Sequence, residues 1–266
     1  MATTSSCVVT GAARGIGRAI AEQMVARGHR VVVTDVDGAG AARTASEIGA
    51  AEGLAQDVRD PASHRAVAEA AGRHGPLTVW FNNAGVAFDR DLVELTDEQV
   101  RTTVEVNLLG VMWGTRAAVD AFGAAGGDVV ITSSLSALGP VPNLSAYAAT
   151  KAAVLSLATS VNLETPRGVR VHALCPDGVS TAMVEGMTGG TAEKLVRSGG
   201  RMLTTDEVAA AAVALVGSRR VARTMPGWRG AVMRIGGLVP SQAAPALRLL
   251  ELQGSRAVKR RRALRE

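Results

Sequence analysis

Aromatic side chains are scarce, with three tryptophans, three phenylalanines and one tyrosine in 266 residues. A core must therefore be packed from Ala, Val, Leu and Ile. Cysteine is limited to Cys7 and Cys175, both in apolar runs. Two are too few for a disulfide framework and read as reduced core residues. The four histidines, His29, His64, His74 and His172, lack metal-ligand spacing, so no metal site is expected. No apolar run nears the roughly 18 to 20 residues of a membrane span. The longest, Val208 to Gly217, is about half that and reads as a buried helix. The amino terminus has no basic stretch followed by an apolar core, so no secretory signal is expected. The expectation is a soluble, cytoplasmic chain.

What remains suits one globular domain: 47% hydrophobic residues, 20% charged, and 30 glycines against nine prolines. The net charge of +5 is localised. Residues from Ala246 onward hold seven basic and two acidic side chains, leaving 22 of each sign in the body. A neutral body argues against a nucleic-acid surface.

Short Val/Ile/Leu runs alternate with helical spacing. Cys7–Thr10, Arg30–Asp35, Gly53–Asp57, Leu77–Asn82, Asp128–Ser133, Val169–Leu174 and Ala231–Ile235 read as strands. Between them, helices are expected from Gly15 to about Arg27, over Ala39–Ile48 and Pro61–Arg73, from Thr96 to about Phe122, and over Ala146–Glu164 and Asp206–Gly217. Continuous rather than alternating strands imply a parallel sheet covered on both faces. The fold class is α/β, a doubly wound, Rossmann-type sheet of about seven strands in a single domain. The domain is expected over 1–240. The glycine-rich stretch Met183–Arg201 suggests a substrate lid at about 183–205, and 241–266 is a basic extension.

Thr10-Gly11-Ala12-Ala13-Arg14-Gly15-Ile16-Gly17 lies between the first strand and the first helix. Glycines there let the backbone approach a pyrophosphate at the helix amino terminus. Asp35 ends the second strand, where a carboxylate binds the ribose hydroxyls of NAD and repels a 2′-phosphate. Asp37 adds a second negative charge. Arg14 argues the other way, toward NADP, and Asp35 could instead only cap the next helix. The balance favours NAD. Tyr147, the only tyrosine, precedes Lys151, one of three lysines, by one helical turn. An ammonium near a phenol is expected to lower its pKa and make it a proton donor and acceptor for an alcohol or carbonyl.

With these motifs in place, the chain resembles the short-chain dehydrogenase/reductase family, in its single-domain branch, from about Ser6 to Gly237. Asp57-Val58 resembles the Asp-Val that meets adenine in that family. Asn82-Asn83-Ala84-Gly85 matches its turn after the fourth strand, which adds Asn83, Ala84 and Gly85 to the cofactor site. Asn107 resembles the catalytic-helix asparagine. Ser134, thirteen residues before Tyr147, has the spacing of the catalytic serine, in preference to Ser133 or Ser136. Pro176-Asp177-Gly178-Val179-Ser180-Thr181 resembles the segment beside the nicotinamide, contacting it through Pro176, Val179 and Thr181. Asp177 stands where that family usually has glycine.

The resemblance implies hydride transfer between NAD(H) and a secondary alcohol or ketone. Tyr147 would be the general acid/base, Lys151 would tune it and hold the ribose, Ser134 would bind the substrate oxygen, and Asn107 would hold a linking water. Small apolar residues in Ala137–Ser145 suggest a hydrophobic pocket, and a lipophilic or ring-bearing substrate is the expectation. An NADPH-linked 3-oxoacyl reductase is the alternative, and a non-catalytic nucleotide sensor a remote one. The resemblance also implies a homo-oligomer, tetramer or dimer, through the helices about Thr96–Phe122 and Ala146–Glu164. In the tail, Leu247, Leu250, Ala257 and Val258, widened by Leu249 and Leu252, suggest an apolar helical stripe before a basic cluster. It would dock on a neighbouring subunit or attach weakly to anionic lipid.

Overall fold

The computed structural model describes residues 4–165, 168–187, 190–237, 248 and 251–258. Seven strands form one sheet: β1 (Ser6–Thr10), β2 (Arg30–Asp35), β3 (Glu52–Ala55), β4 (Leu77–Asn82), β5 (Gly127–Thr132), β6 (Val169–Pro176) and β7 (Ala222–Met225). All pairs are parallel, in the order β3-β2-β1-β4-β5-β6-β7. The chain reverses its winding between β1 and β4, and the crevice outside their carboxyl ends is where such sheets bind ligands.

The helices α1 (Gly15–Ala26), α2 (Gly38–Ile48) and α3 (Pro61–Gly72) alternate with the first strands. Local chemistry sets their starts. Asp37 accepts the Gly40 N–H at 2.9 Å to cap α2, and Asp60 caps α3 just before Pro61. α4 (Asp97–Val104) opens on a capping box between Thr96 and Gln99. The few aromatics do go inside: Trp80 and Phe81 of β4 are fully buried, on opposite faces of the sheet. Both cysteines are buried and unpaired.

Two expectations are corrected. The helix from Thr96 to Phe122 is broken. After α4 a π-turn at Glu105–Leu109 intervenes before α5 (Gly110–Phe122). It pulls Asn107 inward to bond the Val86 backbone, and inserted turns of this kind mark functional sites. The last strand is not Ala231–Ile235 but Ala222–Met225, which completes the sheet beside β6 before Pro226. Residues Ala231–Ile235 instead lie in a helix at Gly227–Gly237, α10 in the order below. Its apolar residues Trp228, Val232 and Ile235 recur at helical spacing and are exposed, while Arg229 is buried.

Between these lie α6 (Ser145–Glu164), the short α7 (Ala182–Glu185) and α8 (Thr191–Arg197), then α9 (Thr205–Val213), which carries a second capping box from Thr204 to Glu207. α7 and α8 fall within the stretch from which a lid was expected. In the tail, 251–258 is helical. A Cβ placed on Gly254 would collide with the Lys194 carbonyl of α8, so this segment packs on α8. Of the expected stripe, Val258 is buried, Ala257 half-buried and Leu252 exposed. Leu247, Leu249, Leu250 and the basic cluster Lys259–Arg262 with Arg265 lie outside the described residues.

Candidate active site

One cavity of about 980 Å³ runs across the carboxyl edge of the sheet. At one end stand Gly11, Arg14, Gly15, Ile16 and Asp35, and at the other Ser134, Tyr147, Lys151 and Val179. Gly11 (φ 63°) and Gly15 (φ 62°) are in the left-handed region that disfavours side chains. A Cβ on Gly11 would come within 2.7 Å of the Ala84 backbone, whereas Gly15 faces open space. The glycine turn is thus pressed against the β4 turn on one side and open on the other.

Two expected cofactor residues act from behind this surface. The Thr10 hydroxyl is buried, donates to the Phe81 carbonyl, and accepts the N–H groups of Asn83 and Ala84 at 3.0 and 3.1 Å. Gly17 is buried because a Cβ there would strike the Gly11 carbonyl. Neither lines the cavity, and both shape the turn. Asn83 lines the cavity, but its amide nitrogen donates to the Thr10 and Gly11 carbonyls and its oxygen accepts from Thr132.

Asp35 accepts the N–H groups of Ala13 and Asp37, both at 3.1 Å. It therefore joins the glycine turn to the end of β2, and the α2 cap is Asp37 instead. Two of the cations nearby are matched, Arg18 with Glu47 at 2.7 Å and Arg43 with Asp37 at 3.7 Å, while Arg14 on the cavity wall has no ion pair among the described residues. Farther along the wall, Arg59 grips both carboxylate oxygens of Asp57 (Nη2 to Oδ2, 2.7 Å), and this hydrogen bond holds Asp57 below the usual carboxylate range. Sequence reasoning missed Arg59, although a basic residue two positions beyond the Asp was there to see. Val58 lines the same wall, and its carbonyl bonds the buried His64 ring at 2.9 Å.

At the other end, α6 presents Tyr147 and Lys151 one turn apart. Lys151 is buried, donates from Nζ to the Thr132 carbonyl at 2.8 Å, and lies 5.4 Å from the Tyr147 ring centre. Ser134 lies beside the Tyr147 phenol and accepts the Ser136 N–H at 3.1 Å. Ser133 turns away and donates to the Lys151 carbonyl. The expected lowering of the Tyr147 pKa by Lys151 is not what this site shows. Burial pushes the phenol up to about 12, opposed only by the Ser134 hydroxyl. Burial also pushes the Lys151 ammonium down to about 8. Asn107 does not line the cavity. Its amide bonds both backbone groups of Val86 (2.9 and 2.8 Å) and donates to Thr150, holding the Gly85–Val86 turn beside Lys151.

Pro176, Val179 and Thr181 line the cavity beyond β6. Asp177 does not need a left-handed backbone, since the only non-glycine residue with positive φ is Asn143 among those described. Gly178 is required for packing, because a Cβ there would lie 2.7 Å from Val196 of α8. Two residues on the wall were not expected to act. The Ser136 hydroxyl is buried with no hydrogen-bond partner among the described residues, and Met233 of α10 reaches Gly139 of the loop before α6.

A doubly wound sheet with a glycine turn at its switch point and an acid–base pair at its edge defines a nucleotide-linked oxidoreductase. Residues 5–192 match the short chain dehydrogenase family. The chain is 38% identical over 176 residues to sorbitol dehydrogenase from Cereibacter sphaeroides, covering 64% of this chain and 69% of that one. It is similar to a short chain dehydrogenase/reductase from Burkholderia phymatum solved with NAD, with a TM-score of 0.79 and 27% identity over 87% of this chain and 92% of that one. It is also similar to 3-ketoacyl-(acyl-carrier-protein) reductase from Brucella melitensis solved with NADH, with a TM-score of 0.77 and 30% identity over 85% and 98%. The chain belongs to the short-chain dehydrogenase/reductase family and is an oxidoreductase of alcohol and carbonyl groups.

Proposed function

We propose that the protein interconverts a lipophilic secondary alcohol and its ketone with NAD(H). The observation that carries this is the convergence of Ser134, Tyr147 and Lys151 on one cavity whose far end holds the open glycine turn and Asp35. The cavity fits a dinucleotide. Gly11, Arg14, Gly15 and Ile16 would hold the pyrophosphate, Asp35 the adenosine ribose, Asp57 and Val58 the adenine, and Ala84 and Gly85 the middle. Lys151 would hold the second ribose, and Pro176, Val179 and Thr181 the nicotinamide. When bound, that group takes or gives the hydride.

The chain's own residues handle the proton. Tyr147 Oη stands where it can give a proton to a carbonyl oxygen or take one from an alcohol. Ser134 Oγ bonds the same oxygen and fixes its distance from the phenol. The Lys151 ammonium, kept dry beneath the phenol, is placed to favour its ionised form when a substrate excludes water. Asp35 favours NAD, because a 2′-phosphate would be set against its carboxylate while Arg18 and Arg43 are already paired. NADH in the Brucella reductase structure lends support.

Val141, Leu144, Met183, Met187 and Met233 make the substrate end apolar, which favours a ring or an alkyl chain. The domain is assigned to 1–240, with the lid at about 183–205 and an extension from 241. A homo-oligomer, tetramer or dimer, is supported by Leu163, exposed near the end of α6. No helix among the described residues is long and apolar enough to cross a membrane, and the cytoplasm is the proposed location. The exposed Trp228, Val232 and Ile235 of α10, which precede the basic extension in the sequence, suit weak contact with an anionic lipid surface. The test is a panel of cyclic and linear secondary alcohols and ketones, each with NAD(H) and NADP(H). Turnover of cyclic alcohols with NAD supports the reading. Higher kcat/KM with the phosphorylated cofactor, or turnover of 3-oxoacyl thioesters alone, overturns it.

A further inference from the structure

Asp177 replaces a glycine of the family segment, and its partner comes from a helix outside the matched residues. Arg229 of α10 donates from Nε to Asp177 Oδ2 at 2.9 Å, and both side chains are nearly buried. The same guanidinium reaches the carboxyl end of α8, with Nη2 3.2 Å from Ser198 Oγ and 3.4 Å from the Leu195 carbonyl. Gly199 closes over the pair, since a Cβ there would lie 2.6 Å from both Arg229 Nη1 and Asp177 Oδ2. One arginine thus joins three segments: the wall from Pro176 to Thr181, the end of the lid helix, and α10.

The other end of α8 is tied as well. Asn143, in the left-handed region at φ 64°, accepts the Thr191 N–H at 2.8 Å and donates to Asp91 at 2.8 Å. Beyond α8, Leu203 donates to the Gly178 carbonyl and accepts the Ser180 N–H, both at 2.9 Å, and closes the base of the lid. The lid is therefore held at its two ends and its base, and of its ties by charge the exposed one joins Arg201 to Glu207 of α9 while the Arg229 tie is buried. A buried ion pair is poor value as a source of stability, because desolvating two charges offsets most of their attraction. Its planar fork does fix direction, reaching Asp177 from one nitrogen and Ser198 from another, which a lysine cannot do.

We propose that Arg229, oriented by Asp177, is a positioning residue that latches the 182–202 lid over the nicotinamide end of the cavity. The proposal rests on the cavity being the cofactor and alcohol site. It predicts that breaking the pair loosens the lid without touching the proton-transfer groups.

The test uses the full-length chain with Arg229→Met, Arg229→Lys and the double variant Asp177→Asn/Arg229→Met. Tryptic cleavage after Lys194, Arg197 and Arg201, with and without NADH, reports the lid. NADH fluorescence titration reports the cofactor, and kinetics on the best alcohol of the panel report the substrate. Arg229→Met is expected to speed lid cleavage about tenfold, and to raise KM about tenfold while kcat falls less. Arg229→Lys, which keeps the charge but reaches fewer partners, should fall between.

The double variant removes both buried charges, so Tm should recover while cleavage and KM stay raised. Cleavage and KM recovering together with Tm would show a merely structural pair and overturn the latch. So would unchanged cleavage and NADH affinity in a folded Arg229→Met. If Arg229→Met does not fold, the double variant and Arg229→Lys carry the same readouts. An absence of turnover on every alcohol would count against the function instead, since the tryptic rate needs none.

Discussion

At the amino ends of β5 and β6, Asp128 accepts from Arg170 Nε and Nη2 at 2.7 Å each, from His172 at 2.9 Å and from the Gly217 N–H at 3.1 Å. At the carboxyl end of β5, the Lys151 ammonium has the Thr132 carbonyl at 2.8 Å and a phenol ring beneath it. Burial opposes the charge in both places. For Asp128, burial pushes the carboxyl up, but its four donors outweigh that and hold it at about 2. For Lys151, burial prevails and the ammonium falls to about 8. One edge of the sheet completes its buried charge, and the other leaves buried groups short of partners. A group left short of partners binds and exchanges protons readily, so the second edge is the working one.

The sharpest way to break this contrast is at Tyr147. Tyr147→Phe should lower kcat about 1,000-fold, because it removes the group placed to give and take the proton and leaves only the weakly acidic Ser134 hydroxyl, while NADH still binds. Lys151→Met should also lose turnover yet raise Tm, because it removes a buried ammonium with one carbonyl partner. Near-normal kcat in the first, or a lower Tm in the second, would contradict the division.

The opposite edge should respond in the opposite sense. Asp128→Ala leaves Arg170 and His172 without their acceptor and should cost about 3 kcal/mol of stability, with kcat little changed in the folded protein. The pH dependence has a definite sign. Asp128 has a folded pKa of about 2, below its ordinary 3.8, so its contribution is present above pH 4 and is lost as pH falls from about 4 to 2. Denaturant melts at pH 6 and pH 3 check this. The gap between wild type and Asp128→Ala should narrow at pH 3.

The two edges were not equally legible in the sequence. Strand runs such as Val31–Val33 and Val129–Ile131 declare a buried parallel sheet, and the glycine turn and the Tyr147–Lys151 pair have fixed spacings. Other features depend on residues far apart in the chain. Nothing local says that Asn107 closes on Val86 or that Thr10 holds the β4 turn. Ala231–Ile235 was misread because a short apolar run with one arginine fits a strand as well as a helix. The helical period shows only when Trp228 is included. The Tyr147 pKa went the wrong way because proximity to Lys151 could be inferred from spacing, but the burial of both could not.

Cofactor choice is a smaller test of the same idea at the far end of the cavity. The Asp35 carboxylate bonds two backbone N–H groups and lines the cavity. Asp35→Ala should cut the NAD over NADP preference in kcat/KM about tenfold, mostly through KM for NAD. An unchanged ratio would move the discrimination to Asp37.

The smallest expected effect concerns Ser136, two residues past Ser134. Its hydroxyl is buried on the cavity wall without a partner among the described residues, and an unmatched buried hydroxyl costs about 1 kcal/mol or more. Ser136→Ala should therefore raise Tm by about 2 °C in the cofactor-free protein. If the hydroxyl serves the substrate, the same change should raise KM about threefold for alcohols with a second oxygen near the reacting carbon, and leave monohydric alcohols unchanged. An equal rise for both kinds would mean that Ser136 acts through the position of Ser134, whose Oγ accepts the Ser136 N–H. A drop in Tm would show that the hydroxyl is satisfied in solution, and Ser136 would then belong with the completed groups at the other edge of the sheet.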